Sequence, residues 1–405
     1  MNIANENDFV PAVITIGFNR PRSLERLLHS LSSARYETPD VPLVISIDFN
    51  DSEAGAESRR IASEFKWAFG PKRVILHEQN LGLRQHVLAC GDLSAEYGGV
   101  ILLEDDLTVS RDYYRFVVQS LAFVVDDASV GGISLYSHAT NFINRLPFIP
   151  LYDGFDNFYL QIASSWGQAW NTSQWRLFRT WYDALSVQDE SNQSLKLIPP
   201  DAPIPSTVIN WQNSSWLKYF IWYLAESNRY FLYPRISQST NHNDSGTHAT
   251  RASSAWQVPL SIELNSLRFS KLTQSLSVYD SFFEILPDRL RKIAPLLDGY
   301  DFDVDLYGSK RDDLLDRPYV LTSRAVSDIP VLGFKLARKP FEANFEITEE
   351  DTSDPFFSLV TRNKLGSKNK MTLKSFLVFE YFFGSLSLRT LATNWLKYFW
   401  QKRMS

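Results

Sequence analysis

The 405-residue sequence has a single cysteine, Cys90, so an intramolecular disulfide framework is excluded. Its six histidines show no HxxxH spacing and no CxxC is present, which leaves no zinc-site pattern. Long apolar runs are missing too: no uncharged stretch reaches the ~18 residues of a membrane-spanning helix. The opening segment, Met1 to Asp8, is polar and acidic and lacks the basic start and apolar stretch of an export signal. These absences lead us to expect a reducing, cytoplasmic setting.

What is present is a large apolar inventory, 44% hydrophobic and 14% aromatic, enough for one large core with a smaller one beside it or for two of moderate size. Short β-branched runs alternate with amphipathic stretches, an α/β signature. Ala12 to Ile16 reads as a buried parallel strand, followed by a loop in which Pro21 opens a helix carrying Leu24, Leu27, Leu28 and Leu31 at helical spacing. Leu43 to Ile47 is a second strand ending in Asp48, with a helix expected around Glu57 to Phe69. Val74 to His77 is a third strand, and Asn80-Leu81-Gly82 leads into the next helix. Gly98 to Leu103 is a fourth strand that stops at Glu104-Asp105-Asp106. Four such units imply a Rossmann-like, mostly parallel, doubly wound sheet with ligands at the carboxyl ends of its strands, where Asp48, Asn80 and the acidic triplet all fall.

Three adjacent carboxylates after an apolar strand repel one another and lose hydration, which is costly unless a cation compensates. A divalent ion is the simplest answer: oxygen ligands suit Mg²⁺ or Mn²⁺, and such an ion can bridge a diphosphate. An isolated acidic triplet is more often a solvated turn before a helix. The strand-end context, shared with Asp48 and Asn80, favours the site.

The ordered segments VITIGFNRP (13–21), VISID (44–48), HEQNLGL (77–83) and GVILLEDDL (99–107) are where a family resemblance becomes visible. With Ser165-Trp166-Gly167, Tyr233 to Ser237 and Gly246 to Ala249, they resemble the GT-A glycosyltransferases related to the N-acetylglucosaminyltransferase that begins complex N-glycans. They are also similar to bacterial polysaccharide transferases with the same core, the glycosyltransferase family 2-like enzymes. The resemblance covers roughly residues 10 to 250. It implies a GT-A fold and a hexosyl- or N-acetylhexosaminyl-transferase using a nucleotide-sugar, UDP-linked, with Mn²⁺ or Mg²⁺. Asp106 is implied as the metal ligand, Glu104 and Asp105 as contacts to sugar and ribose, and Asp48 as the contact to the base. Arg20, Asn80 and Gly82 would line the same pocket. His248, in the polar segment Asn241 to His248, would ligate the metal or touch phosphate from a loop that orders over the donor.

An inverting transferase needs a base for the acceptor hydroxyl. Relatives place an aspartate just before a tryptophan, but the corresponding stretch here, Asn210 to Trp216, contains no acid. Asp244 is the first candidate to substitute and Glu226 the second; Glu226 sits in a helical pattern with Trp222 and Leu224. Aromatic residues crowd between Phe142 and Trp181. Most belong to a core, and Trp166 beside Gly167 is singled out for sugar contact.

The expected division is a GT-A domain over 1–255 and an accessory region over 256–405, a mixed and helical C-terminal extension. In the accessory region Tyr279 to Leu290 reads as helical. Tyr300 to Gly308 alternates acid and apolar residues, as an edge strand with a solvated acidic face does. From Thr361 onward nine Lys or Arg face the single acid Glu380, in a chain whose formal net charge is −5. Met371 to Trp400 interleaves aromatics with cations, a pattern that suits an anionic membrane surface or a terminal helix pair packed on the body. The expected function is transfer of a sugar to a glycan or lipid-linked oligosaccharide in surface polysaccharide synthesis, at the inner face of the cell membrane. A non-catalytic glycan- or nucleotide-sugar-binding relative remains open. So does a sugar nucleotidyltransferase, although Gly17 to Pro21 is not the Gly-rich phosphate loop such enzymes carry. The acidic body makes nucleic acid a poor partner.

Overall fold

The structure, a computed structural model, describes residues 10–366 apart from 190–191, 196, 245–253, 325, 327–328, 335–339 and 347–354, together with 392–393 and 396. The chain begins with β1 (Ala12–Gly17), every residue of which is buried, and α1 (Pro21–Ser32), with Pro21 in its first turn. β2 (Leu43–Ile47) follows, then α2 (Glu53–Glu64), capped by the Ser52 side chain accepting from the Gly55 amide at 3.2 Å. This helix lies a few residues ahead of the expected Glu57 to Phe69. The first half-sheet is completed by β3 (Lys72–Leu76), α3 (Gly82–Asp92), α4 (Ser94–Tyr97) and β4 (Gly99–Glu104).

β4, β1, β2 and β3 lie side by side and parallel, with Ile16 opposite Glu104 and Gly17 opposite Ile47. The chain winds outward from β1 to β3 and returns to the other side of β1 as β4. The strand order therefore reverses between β1 and β4, which is where open α/β sheets keep their ligand crevice. Side chains alternate as period 2 demands. Val13, Ile45, Ile101 and Leu103 pack with α1, α2 and α5 (Tyr113–Phe123), while Ile14, Ile16, Val44, Val100 and Leu102 pack on the opposite side with α3.

Beyond β4 come β5 (Leu107–Val109), β6 (Val130–Ser134), β7 (Asn157–Leu160) and β8 (Gln168–Asn171). α6 (Thr172–Asp183) starts with a reciprocal Asn171–Gln174 capping box. A hairpin of β9 (Ser186–Asp189) and β10 (Asn192–Leu195), then α7 (Ser206–Ile209) and α8 (Leu217–Glu226), lead to β11 (Tyr230–Pro234) and β12 (Ser239–Asn241). β13 (Val278–Tyr279) follows. Among the described residues the large sheet has nine strands in the order β13-β7-β11-β6-β8-β4-β1-β2-β3, most neighbours parallel. The α/β class and the mainly parallel sheet expected from the sequence are thus present.

Two expectations change. The large sheet extends across the boundary expected at 255, because β13 joins its edge, and Tyr279 is in that strand rather than in a helix; α9 begins only at Pro287 (Pro287–Ile293). A second, four-stranded sheet has the order β14-β15-β17-β16, from β14 (Phe302–Asp305), β15 (Tyr319–Thr322), β16 (Leu332–Phe334) and β17 (Phe357–Thr361). β14 is an edge strand as expected, but the solvated acidic face holds for only part of the segment: Asp301 is exposed, whereas Asp305 is fully buried against Arg324. A short period-2 pattern cannot reveal that a carboxylate has a buried partner 19 residues away.

Candidate functional site

The reversal between β1 and β4 brings Arg20, three residues past β1, against the acids that follow β4. Arg20 is the N-cap residue of α1 without a side-chain cap contact, so its guanidinium is free to reach across the crevice. It forks onto Asp105, donating from Nε to Oδ2 at 3.3 Å and from Nη2 to Oδ1, and reaches Asp106 Oδ2 from Nη1 at 3.1 Å. The Arg20 side chain is 24% exposed, whereas Asp105 is 3% exposed. Two carboxylates in one desolvated turn would repel; the planar fork compensates both.

Electrostatics follow from that crowding. Burial, reinforced by Asp106, pushes Glu104 up to about 8, with Arg20 pulling the other way. Burial pushes Asp105 up to about 6, opposed by Arg20. For Arg20 burial acts to lower the pKa, but Asp105 and Asp106 outweigh it and raise it.

The second oxygen of Asp106 accepts from Asn241 Nδ2 at 3.1 Å, and its carbonyl accepts from the His242 amide at 3.0 Å. The sequence separation is 135 residues, and the contact exists because β12 pairs antiparallel with β5, setting Asn241 opposite Leu107. His242 Nε2 lies 2.8 Å from Thr108 Oγ1. Sequence reasoning noted this polar segment but missed Asn241, since no local pattern signals which strand pairs with β5.

Asp48 is 4% exposed, and its oxygens accept from the amides of Phe49, Leu81 and Gly82 at 2.8, 2.9 and 3.0 Å. Asn80 accepts from Gly82 N at 2.8 Å and donates to the Phe49 carbonyl at 3.2 Å. Gly82 has φ +72°, which suits glycine at this turn. Asp48, Asn80 and Gly82 are thus brought together at the crevice, as one knitted turn with a spare lone pair on Asp48.

Asp244 accepts from Ser23 Oγ at 2.7 Å and pairs with Arg26 Nη2, both on α1. Burial alone would raise its pKa, but the hydrogen bonds from Arg26 and Ser23 bring it below the usual carboxylate range. It sits beside the crevice as an ion-paired group rather than a free base. Glu226 lies elsewhere: it ends α8, ahead of the amino end of β11, and accepts from Trp181 Nε1 at 2.7 Å. β11 runs in the direction of β4, so Glu226 occupies the opposite rim from the acids, which removes it as a substitute base. His248 and the aromatic, basic segment Met371 to Trp400 lie outside the described residues, apart from three tail positions. No described helix is long and apolar enough to cross a membrane.

Trp166 is tied to the same strand as Asn241, its carbonyl accepting from Ser239 Oγ. Its ring meets Tyr136 at 4.6 Å and Trp256 at 5.1 Å. His138 stands behind it, ringed by Tyr136, Phe142, Trp166, Tyr233 and Phe283, with Nε2 unpartnered. Burial drives its pKa down to about 3. A histidine with an unfolded value near 6.5 that resists charging in the fold stabilises the protein above pH 6.5 and progressively less as pH falls toward 3. His138→Phe should match or exceed the parent in stability at pH 7. It should also lose less stability between pH 6.5 and 4, by roughly 1.4 kcal/mol per pH unit at the steepest. Urea midpoints across that range check this; parallel pH profiles would show that His138 is not buried neutral.

Whether these groups suit a divalent ion depends on what accompanies it. Among the described residues no three His, Cys, Asp or Glu side chains converge into a metal cage. Mg²⁺ and Mn²⁺ commonly take one or two carboxylates and fill the remaining positions with phosphate oxygens and water. Asp106, with one oxygen committed to Asn241 and the other shared with Arg20, fits that role and not that of a preformed cage.

No protein-family model and no curated protein matches the chain. Solved structures similar to part of it include a mannosyltransferase from Pyrobaculum calidifontis in complex with GDP-Man and Mn²⁺, at 14% identity and TM-score 0.30, covering 41% of this chain and 46% of that one. GalNAc-T7 with UDP, GalNAc and Mn²⁺ aligns at 16% identity and TM-score 0.38, covering 56% and 43%. TarS 1-349 of S. aureus aligns at 12% identity and TM-score 0.34, covering 57% and 60%. The match spans less than two thirds of each of these structures.

Proposed function

We propose that this chain is a metal-dependent GT-A glycosyltransferase that moves a sugar from a nucleotide-sugar, UDP-linked, to a hydroxyl of a glycan or lipid-linked oligosaccharide in surface polysaccharide synthesis. The observation that carries the reading is the acid turn after β4, compensated by Arg20 at the point where strand order reverses. That is where a doubly wound sheet receives a nucleotide. The knitted turn of Asp48, Asn80 and Gly82 would hold the base, and Asp105 with Glu104 the ribose and sugar. Asp106 would hold the divalent ion, with His248 as a further ligand. The ion, when bound, supplies positive charge to the diphosphate leaving group. Trp166 offers an aromatic face to a sugar.

An inverting transfer needs a proton acceptor on the sugar's far side from the diphosphate. Asp244 would serve through Oδ1, Ser23 and Arg26 both being held by Oδ2, and its pairing with Arg26 weakens it as a base. That pairing supports a second reading, a nucleotide-sugar-binding relative without turnover. We place the enzyme at the inner face of the cell membrane, with the basic tail as its anchor. A panel of UDP-, GDP- and dTDP-sugars, each with and without Mn²⁺, is expected to give a thermal shift with a UDP-sugar that requires the ion, along with slow donor hydrolysis. Ion-dependent binding without hydrolysis would favour the second reading, and no binding to any donor would overturn both.

A further inference from the structure

Arg20 already brings positive charge to the face of Asp106 that an incoming cation would approach. Its Nη1 lies 3.1 Å from Asp106 Oδ2, the oxygen not committed to Asn241, while the rest of the fork is spent on Asp105. The guanidinium is permanently charged, partly exposed, and carried by the loop between β1 and α1, so it is an internal competitor present at every collision with an external ion. We propose that Arg20 is the resident counter-cation of the acid turn and makes metal binding conditional on the nucleotide. This rests on the donor-binding reading given above.

The physical logic is a competition within one molecule. A site open only a fraction of the time binds with an apparent dissociation constant raised by the inverse of that fraction. Asp105 and Asp106 are 3% and 8% exposed, so releasing them unpaired is unfavourable, and the closed state dominates when nothing else brings positive charge. A diphosphate changes both sides of the balance. Its oxygens complete the shell of the incoming ion, and its negative charge gives the displaced guanidinium a new bidentate partner. Metal and nucleotide then bind together, and neither alone opens the turn.

The test measures Mn²⁺ uptake by the full chain, from the electron paramagnetic resonance signal of the free aqua ion, without nucleotide. Arg20→Gln should bind Mn²⁺ about tenfold more tightly than the parent, the reciprocal of a site open about a tenth of the time. Arg20→Lys, which keeps the charge but loses the fork, should fall between them. Arg20→Gln combined with Asp106→Asn should lose the gain. Circular dichroism and melting temperature establish that each variant is folded, and Arg20→Lys carries the test if Arg20→Gln is not. Parent protein that takes up Mn²⁺ alone as tightly as Arg20→Gln, or a gain that survives Asp106→Asn, would overturn the proposal. A separate arm adds UDP to the parent: uptake should rise toward that of Arg20→Gln. Absence of that rise together with a persisting Arg20→Gln gain would indict the nucleotide reading and leave the competition intact.

Discussion

Asp106→Asn should fold normally and lose at least about a hundredfold in transfer or donor hydrolysis, more than the ten- to hundredfold typical of changing a group that merely supports a metal ligand. The substitution keeps the shape of the side chain. Its amide oxygen can still accept from Asn241 Nδ2, the contact that ties β12 to the turn after β4. What disappears is the negative charge facing Arg20 Nη1, and with it Oδ2, the oxygen of Asp106 that Asn241 leaves uncommitted. Arg20 retains its fork on Asp105, so the turn stays compensated and stability should change by no more than about 1 kcal/mol. The loss should appear in both turnover and Mn²⁺ dependence. Asp105→Asn makes the contrast: it turns one of the two oxygens that Arg20 holds into an amide donor and removes the charge opposite the fork, so stability as well as activity should fall. An Asp106→Asn protein that keeps more than a tenth of parental turnover at saturating Mn²⁺ would remove Asp106 from the metal site.

Much of this arrangement is legible in the sequence, for reasons that differ from residue to residue. β1, β2 and β4 are buried on both faces, and such strands announce themselves as unbroken apolar runs; their ends then place Asp48 and the triplet without any tertiary knowledge. Arg20 is legible as a strand-end residue, but its fork onto Asp105 is not, because that depends on β1 and β4 being neighbours. Asn241 and Arg26 are further removed: each meets its partner, Asp106 or Asp244, across more than a hundred residues. The helix read around Glu57 to Phe69 lies earlier because Ser52 offers a side-chain cap and the helix ends at Glu64. Tyr279 was expected in a helix, yet a two-residue strand at a sheet edge is too short for any periodicity to register.

The polar junction beneath the second sheet gives the other large effect, and nothing in the local sequence pattern announces it. Asp305 ends β14 fully buried, accepting from Arg324 Nε at 2.6 Å and from the Lys310 amide at 2.9 Å. Lys310 Nζ reaches Asp280 at 2.6 Å, one residue past β13 of the large sheet. Glu284, also fully buried, accepts from the amides of Leu306 and Tyr307 at 2.9 and 2.7 Å. These contacts join the turn after β13 to the end of β14, so the two sheets are held by charge as well as by apolar packing. Asp305→Ala leaves the Arg324 guanidinium, 2% exposed, with the Lys310 carbonyl and with Asp312, whose side chain is 80% exposed, as its partners among the described residues. An uncompensated buried charge costs about 3 to 5 kcal/mol, and the remaining pair to Asp312 puts the expected loss near the lower figure, about 3 kcal/mol. Adding Arg324→Met should restore a large share of that, because the desolvated charge goes with it. Guanidinium unfolding of the parent, the single and the double variant measures both steps. A single variant within about 1 kcal/mol of the parent, or a double variant less stable than the single, would mean that Arg324 finds water or another partner once Asp305 is gone.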